Sequence, residues 1–196
     1  MLGDIRGALI LVADTLRDPT AVAGRIVARP ASRGTLWSAL ALVVVLSVLL
    51  VWVTQGPMAI VLPEGTIDVS PFTYALILGG ILVTMIFAVN FTGRMVGGTG
   101  GFGATIALVA WLEAVAMVVR LMITLVSYLS LPVAEILSIL GLIALLRCLL
   151  AFVNVLHGFA SMWKAFGVLV LAFFGMGLGL TILLALIGVG AGGAMP

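Results

Sequence analysis

Five long apolar blocks constrain this chain more than any other feature, because each is long enough to cross a bilayer. A helix needs about 20 mostly apolar residues to span the hydrocarbon core. We take as spans residues 35–55, 72–90, 104–129, 133–156 and 165–186. Across the 196 residues, 64% are hydrophobic and only 8% are charged. The pattern predicts an all-α membrane protein with five transmembrane helices.

Little chain remains for a soluble domain. We expect a cytosolic amphipathic helical segment at residues 1–34, a transmembrane domain at 35–190 and a short outer tail at 191–196. The first apolar run is too short for a signal peptide, so we expect the N-terminal segment to be retained.

Two short helices are predicted within the N-terminal segment. Apolar residues recur at spacings of three and four between Leu2 and Leu16, which predicts a first helix with one apolar face. Asp18 suits the N-cap of a second helix and Pro19 its first position, with an end near Ala28. Both helices either lie in the membrane interface, pack on the cytosolic ends of the spans or dock on a partner.

The basic residues predict the orientation of the chain. Five arginines precede the first span, and Arg94 and Lys164 fall in the second and fourth gaps. The first gap carries Glu64 and Asp68 but no basic residue. By the positive-inside rule, the N-terminus is cytosolic and the C-terminus lies outside. The richness in Ala, Gly and Arg suggests a bacterial source, so we expect the inner (cytoplasmic) membrane.

Small residues and breakers organise the spans and gaps. Gly80, Thr84 and Ala88 in span two, and Gly175 and Gly179 in span five, favour internal packing seams, with a homodimer as the alternative. Prolines break up the first outer loop, and Pro132 forces spans three and four into an antiparallel hairpin. The glycine-rich loop at residues 97–103 lacks the Gly-Lys-Ser/Thr of a phosphate loop and is interpreted as a flexible turn.

Charges inside the spans are costly and therefore informative. We expect an intramembrane polar network, structural or functional, made of Glu113, Arg120, Glu135, Arg147 and Asn154. Matching depths across the hairpin predict a Glu113–Arg147 ion pair, while Arg120 reaches towards Glu135. This network either fixes the register of the helices or lines a polar path.

No catalytic, cofactor-binding or metal-binding residues are expected. Cys148 and His157 are the only residues of their types, and Cys148 suits a buried apolar position. His157 and Ser161, four apart, offer a weak catalytic pair without a nearby carboxylate. The expected cytosolic contact surface comprises Arg17, Arg25, Arg29, Arg33, Arg94, His157 and Lys164.

Three stretches resemble the Yip family, multi-pass membrane proteins named for interaction with Ypt/Rab GTPases. They are residues 16–37 with Asp18-Pro19 and Arg29-Pro30, the glycine-rich loop through Trp111, and residues 152–165 with Asn154 and His157-Gly158. The resemblance, here to the bacterial branch of the family, implies a cytosolic N-terminal segment, five spans and a non-enzymatic adaptor. A bacterial chain has no Rab system, so Rab binding is not transferred.

Three functional hypotheses follow. The first is a non-enzymatic integral membrane scaffold or accessory protein that binds other membrane proteins or a larger complex, with membrane lipids and no nucleic acid as further partners. The second is a small transporter or channel whose polar path includes Glu113 and Arg147. The third is a membrane enzyme that uses His157 and Ser161.

Overall fold

The computed structural model describes residues 2–62 and 65–186, and five long apolar helices dominate them. They are α3 (Arg33–Gln55), α4 (Pro71–Met95), α5 (Phe102–Ser127), α6 (Leu131–His157) and α7 (Met162–Leu186), preceded by α1 (Leu2–Arg17) and α2 (Pro19–Val27). The prediction of an all-α membrane protein is confirmed. Glu64 and the expected outer tail lie outside the described residues.

The long helices extend past several predicted spans. For example, α4 continues to Met95 where the predicted span ends at residue 90. Serine hydroxyls cap two of them: Ser32 accepts from the Thr35 N–H and Ser70 from the Thr73 N–H, each at 3.1 Å. Capping satisfies backbone donors that the first turn leaves free.

Successive long helices run in opposite directions, which defines two ends of the bundle. At the first, α3, α5 and α7 begin and α4 and α6 end; we call it the His157 end. The other, the hairpin end, carries the tight α5–α6 connection expected from Pro132. There the loop after α3 is not irregular as expected, because strands β1 (Met58–Leu62) and β2 (Gly65–Val69) pair antiparallel.

Helix α5 lies at the centre and packs against α2, α3, α4 and α6. One apolar cluster joins α3, α4 and α5 through residues such as Leu40, Ile86 and Ile106. A second joins α2, α4, α5, α6 and α7, with Ala23, Leu108 and Phe152 among its buried members. The functional side chains are thus positioned by two cores that share α4 and α5.

The two predicted N-terminal helices form, and Asp18 caps α2 by accepting from the Ala21 N–H at 3.0 Å. Both pack on the bundle rather than standing apart from it. Trp111 Nε1 donates to Thr15 Oγ1 at 3.0 Å, and Cys148 Sγ approaches the Thr15 carbonyl oxygen at 3.5 Å. Trp111 is nine residues into α5, about 14 Å from its start. The α1–α2 junction therefore lies beside the middle of α5 and α6, not at their ends.

The small-residue stripes face each other across α4 and α7 but do not close a seam. Thr84 and Ala88 line one wall of a groove of about 610 Å³, and Gly175 and Gly179 line the other. An added Cβ at either of these glycines would meet nothing within 4 Å. The expectation of close internal packing along these stripes is wrong at this groove.

Candidate functional site

The first polar site lies between α3 and α5 and contains Glu113, Arg120 and Ser47. Glu113 is 8% exposed and Ser47 is fully buried. The Glu113 carboxylate accepts from Ser47 Oγ at 2.8 Å and pairs with the Arg120 guanidinium, which also donates to Ser47 Oγ at 3.3 Å. Glu113 and Arg120 are seven residues apart, so they share one face of α5. Together the three side chains form a charge-neutral cluster.

The expected Glu113–Arg147 ion pair is wrong. Arg147 is exposed, and its Nη2 donates to the Arg17 carbonyl oxygen at 2.7 Å. The two residues do lie at similar depth, but depth along a hairpin does not determine direction around each helix. Glu113 faces α3, whereas Arg147 faces the α1–α2 junction.

The remaining two members of the expected polar network lie elsewhere. Glu135 is exposed near the start of α6. Arg120 does not reach Glu135 as expected, because it binds Glu113. The Asn154 amide caps the turn after α6, with its nitrogen 3.0 Å from the Phe159 carbonyl oxygen when the amide is oriented to donate. The five residues therefore occupy four separate places in the described part of the molecule.

The second polar site is the His157 pocket, in which glycine backbones enclose the imidazole. His157 is 2% exposed. A Cβ built on Gly93 would lie 2.1 Å from His157 Nε2, and Cβ atoms built on Gly98 and Gly100 would lie 2.5 and 2.7 Å from Nδ1. These contacts leave no room for any side chain larger than hydrogen. The prediction that His157 belongs to an exposed contact surface is wrong.

The His157 pocket also orders the glycine-rich loop, which we expected to be a flexible turn. The Gly100 N–H donates to His157 Nδ1 at 3.3 Å, and the Thr99 N–H donates to the His157 carbonyl oxygen at 3.2 Å. Asn90 Nδ2 donates to the Gly100 carbonyl oxygen at 3.3 Å and to Thr105 Oγ1 at 3.2 Å. The loop is thus tied to both α4 and α6.

Sequence reasoning missed Asn90, Ser47, Thr15 and Trp111. Asn90 carries the clearest signal, because a buried amide at the end of an apolar block needs hydrogen-bond partners. Ser161 accepts from the Trp163 N–H at 3.3 Å and helps to begin α7, a local role that differs from the catalytic one considered for it. Within residues 2–62 and 65–186, no three His, Cys, Asp or Glu side chains cluster as metal ligands.

A set of exposed cations remains at the His157 end, and we call it the basic end surface. Its members are Arg29, Arg33, Arg94 and Lys164. None of the four is in a salt bridge with another described residue, whereas Arg25 lies 3.7 Å from Asp14. Arg17 is also exposed, but its backbone carbonyl is bound by Arg147.

A family model of the Yip1 domain matches residues 13–184, from the second half of α1 almost to the end of α7. The chain belongs to the Yip1 family. Its Yip1 domain contains α2, all five long helices and both polar sites. Proteins of this family are membrane proteins that interact with other proteins. Neither the curated proteins nor the solved structures include a significant match.

Proposed function

We propose that this chain is a non-enzymatic integral membrane scaffold or accessory protein that binds other membrane proteins through the basic end surface. The observation that carries the proposal is the set of exposed cations at one end of the bundle, none of them in a salt bridge with another described residue. Membership of the Yip1 family supports it, because its members interact with other proteins.

The framework beneath this surface favours a fixed binding face. The loop that follows Arg94 is tied to His157, and Lys164 lies in the first turn of α7 beside the buried Ala165. A surface held in one arrangement loses little conformational freedom when a partner binds. Exposed cations also accelerate encounters with an acidic partner, an effect that salt weakens.

In this proposal the His157 end faces the cytosol of a bacterial cell and the chain resides in the inner membrane. The positive-inside rule supports that orientation, since Arg29, Arg33, Arg94 and Lys164 share one end. The opposite end carries Asp68 and Glu135.

The test is co-purification from native membranes in mild detergent, comparing wild type with a triple variant, Arg29→Glu, Arg94→Glu and Lys164→Glu. We expect a stoichiometric partner with wild type and its loss with the triple variant or in about 1 M salt, where the Debye length falls to about 3 Å. Asp68→Lys with Glu135→Lys is the matched control, because it reverses exposed charges at the other end. A wild-type chain that always purifies alone would contradict the proposal.

The transporter alternative has a separate test. Glu113→Gln that changes solute flux in liposomes, while the variant expresses and folds as well as wild type, would favour transport over a scaffold. The neutral Ser47–Glu113–Arg120 cluster instead supports a structural role, because its charges already have partners.

A further inference from the structure

An aromatic pocket opens at the His157 end between the first turns of α3 and α5. Its volume is about 400 Å³, and its lining consists of Arg33, Trp37, Phe102, Gly103 and Ile106. Phe102 forms the centre of this wall, with ring centroids 6.4 Å from Trp37 and 5.0 Å from Phe87 on α4. The pocket therefore combines a stable aromatic wall with a single cation.

Among the described residues that line the pocket, Arg33 is the only charged one. It is exposed, and no carboxylate of a described residue lies within salt-bridge distance of it. Its five N–H donors suit the planar, bidentate recognition of phosphate oxygens. The charge of the pocket is therefore complementary to an anion.

The depth of Arg33 in the membrane indicates which kind of anion the pocket suits. Arg33 begins α3, and Leu36 and Leu40 on the following turns are already buried in an apolar cluster. A cation one turn before the apolar part of a span lies at the level of the lipid headgroups. Trp37, Phe102 and Ile106 extend from this level towards the hydrocarbon, so the wall suits a ligand that is part anion and part apolar chain.

We propose that this pocket binds one anionic phospholipid of the membrane. The Arg33 guanidinium binds the phosphate, and Trp37, Phe102 and Ile106 contact the glycerol and the first methylene groups. Gly103 lets the first turn of α5 lie close to α3, since a Cβ built there would be 3.3 Å from Leu36 Cδ1, and no side chain caps this turn. The site shares Arg33 with the basic end surface, but lipid binding needs no other protein and is tested on the purified chain alone.

The test uses the purified full chain in detergent and follows its thermal midpoint during titration with short-chain phosphatidylglycerol. Short-chain phosphatidylcholine and inorganic phosphate are titrated in parallel. We expect phosphatidylglycerol to stabilise wild type at the lowest concentration. Arg33→Gln should raise the phosphatidylglycerol concentration that gives half of the full stabilisation by about tenfold or more, since a charge-assisted bidentate contact is lost. Arg29→Gln is the matched control, because Arg29 is exposed at the same end but outside the pocket lining.

A second variant separates the lipid from a free anion. Trp37→Leu should weaken the response to phosphatidylglycerol, because it removes part of the apolar wall. Equal responses to inorganic phosphate and phosphatidylglycerol would show a free-anion site and overturn the proposal. Equal responses to both lipids, or equal losses in Arg33→Gln and Arg29→Gln, would also overturn it. If Arg33→Gln does not fold, an unchanged lipid response in Trp37→Leu decides against the site.

Discussion

His157 fills space that three other positions leave free only because they are glycines. Gly93 belongs to α4, and Gly98 and Gly100 belong to the loop that follows, so one imidazole holds two segments against the end of α6. Two backbone N–H groups complete the arrangement, one to the ring and one to the His157 carbonyl oxygen. A larger residue at any of the three glycines, or a smaller one at position 157, would disrupt these contacts.

Gly93→Ala should destabilise the protein strongly, because its Cβ would lie 2.1 Å from His157 Nε2. Overpacking of this kind costs about 1–3 kcal/mol or more, which thermal unfolding in detergent would detect as a lower midpoint. Gly80→Ala is the matched control in the same helix, since its Cβ would meet nothing within 4 Å. It should be neutral or slightly stabilising, because Ala favours helix more than Gly.

A rescue experiment identifies the cause of the Gly93→Ala effect. In a His157→Ala background the added methyl has room, so the further cost of Gly93→Ala should nearly vanish. An undiminished cost in that background would mean that the methyl group clashes with something other than His157.

At the scale of elements, the Ser47–Glu113–Arg120 cluster holds α3 against α5. A cross-helix hydrogen bond at 2.8 Å and an ion pair on one face of α5 meet at the Glu113 carboxylate. Few polar partners are available in the membrane, so leaving one of these groups unpaired is costly. We therefore expect the cluster to fix the rotation of α5 relative to α3.

A double-mutant cycle tests this pairing. Glu113→Gln should lower the free energy of unfolding by about 1–3 kcal/mol, because Arg120 loses its charged partner. The Arg120 side chain is 35% exposed, so the limit for a fully buried ion pair does not apply. Adding Arg120→Gln should restore part of the loss, a coupling of about 0.5–3 kcal/mol. The control is the same cycle with Arg147→Gln in place of Arg120→Gln. Strong coupling of Glu113 to Arg147, with none to Arg120, would contradict the structure.

At the scale of the whole molecule, the distribution of charges and the number of long helices predict the orientation of the bundle across the membrane. Five long helices place the start of α3 and the end of α7 at opposite ends. The basic end surface lies at one of them, and Asp68 of β2 lies at the other. This asymmetry favours one orientation over its inverse.

Labelling of single cysteines tests the orientation. In a Cys148→Ala background, a membrane-impermeant maleimide should label Asp68→Cys in intact spheroplasts and Arg94→Cys only in inverted vesicles. Both positions are exposed, so accessibility of the side chain does not limit either reaction. The reverse pattern would refute a cytosolic His157 end.

The sequence by itself determined the features that depend on local or one-dimensional properties. Hydropathy located the five long helices, the Asp18-Pro19 pair located the start of α2, and three short stretches indicated the family. Charge placement predicted the orientation, which stays a prediction. The confirmed inferences succeed because span length and helix capping act within a single segment of the chain.

Only the tertiary structure decided which side chains meet. Matching of depths along the hairpin predicted a Glu113–Arg147 pair. In the packed bundle, Glu113 faces α3 and Arg147 donates to the carbonyl oxygen of Arg17. Likewise, the glycine-rich loop is ordered because His157, more than fifty residues away, fills the space beside it. The direction of a side chain around its helix follows from how neighbouring helices pack, and that information is spread over the whole bundle rather than held in one segment.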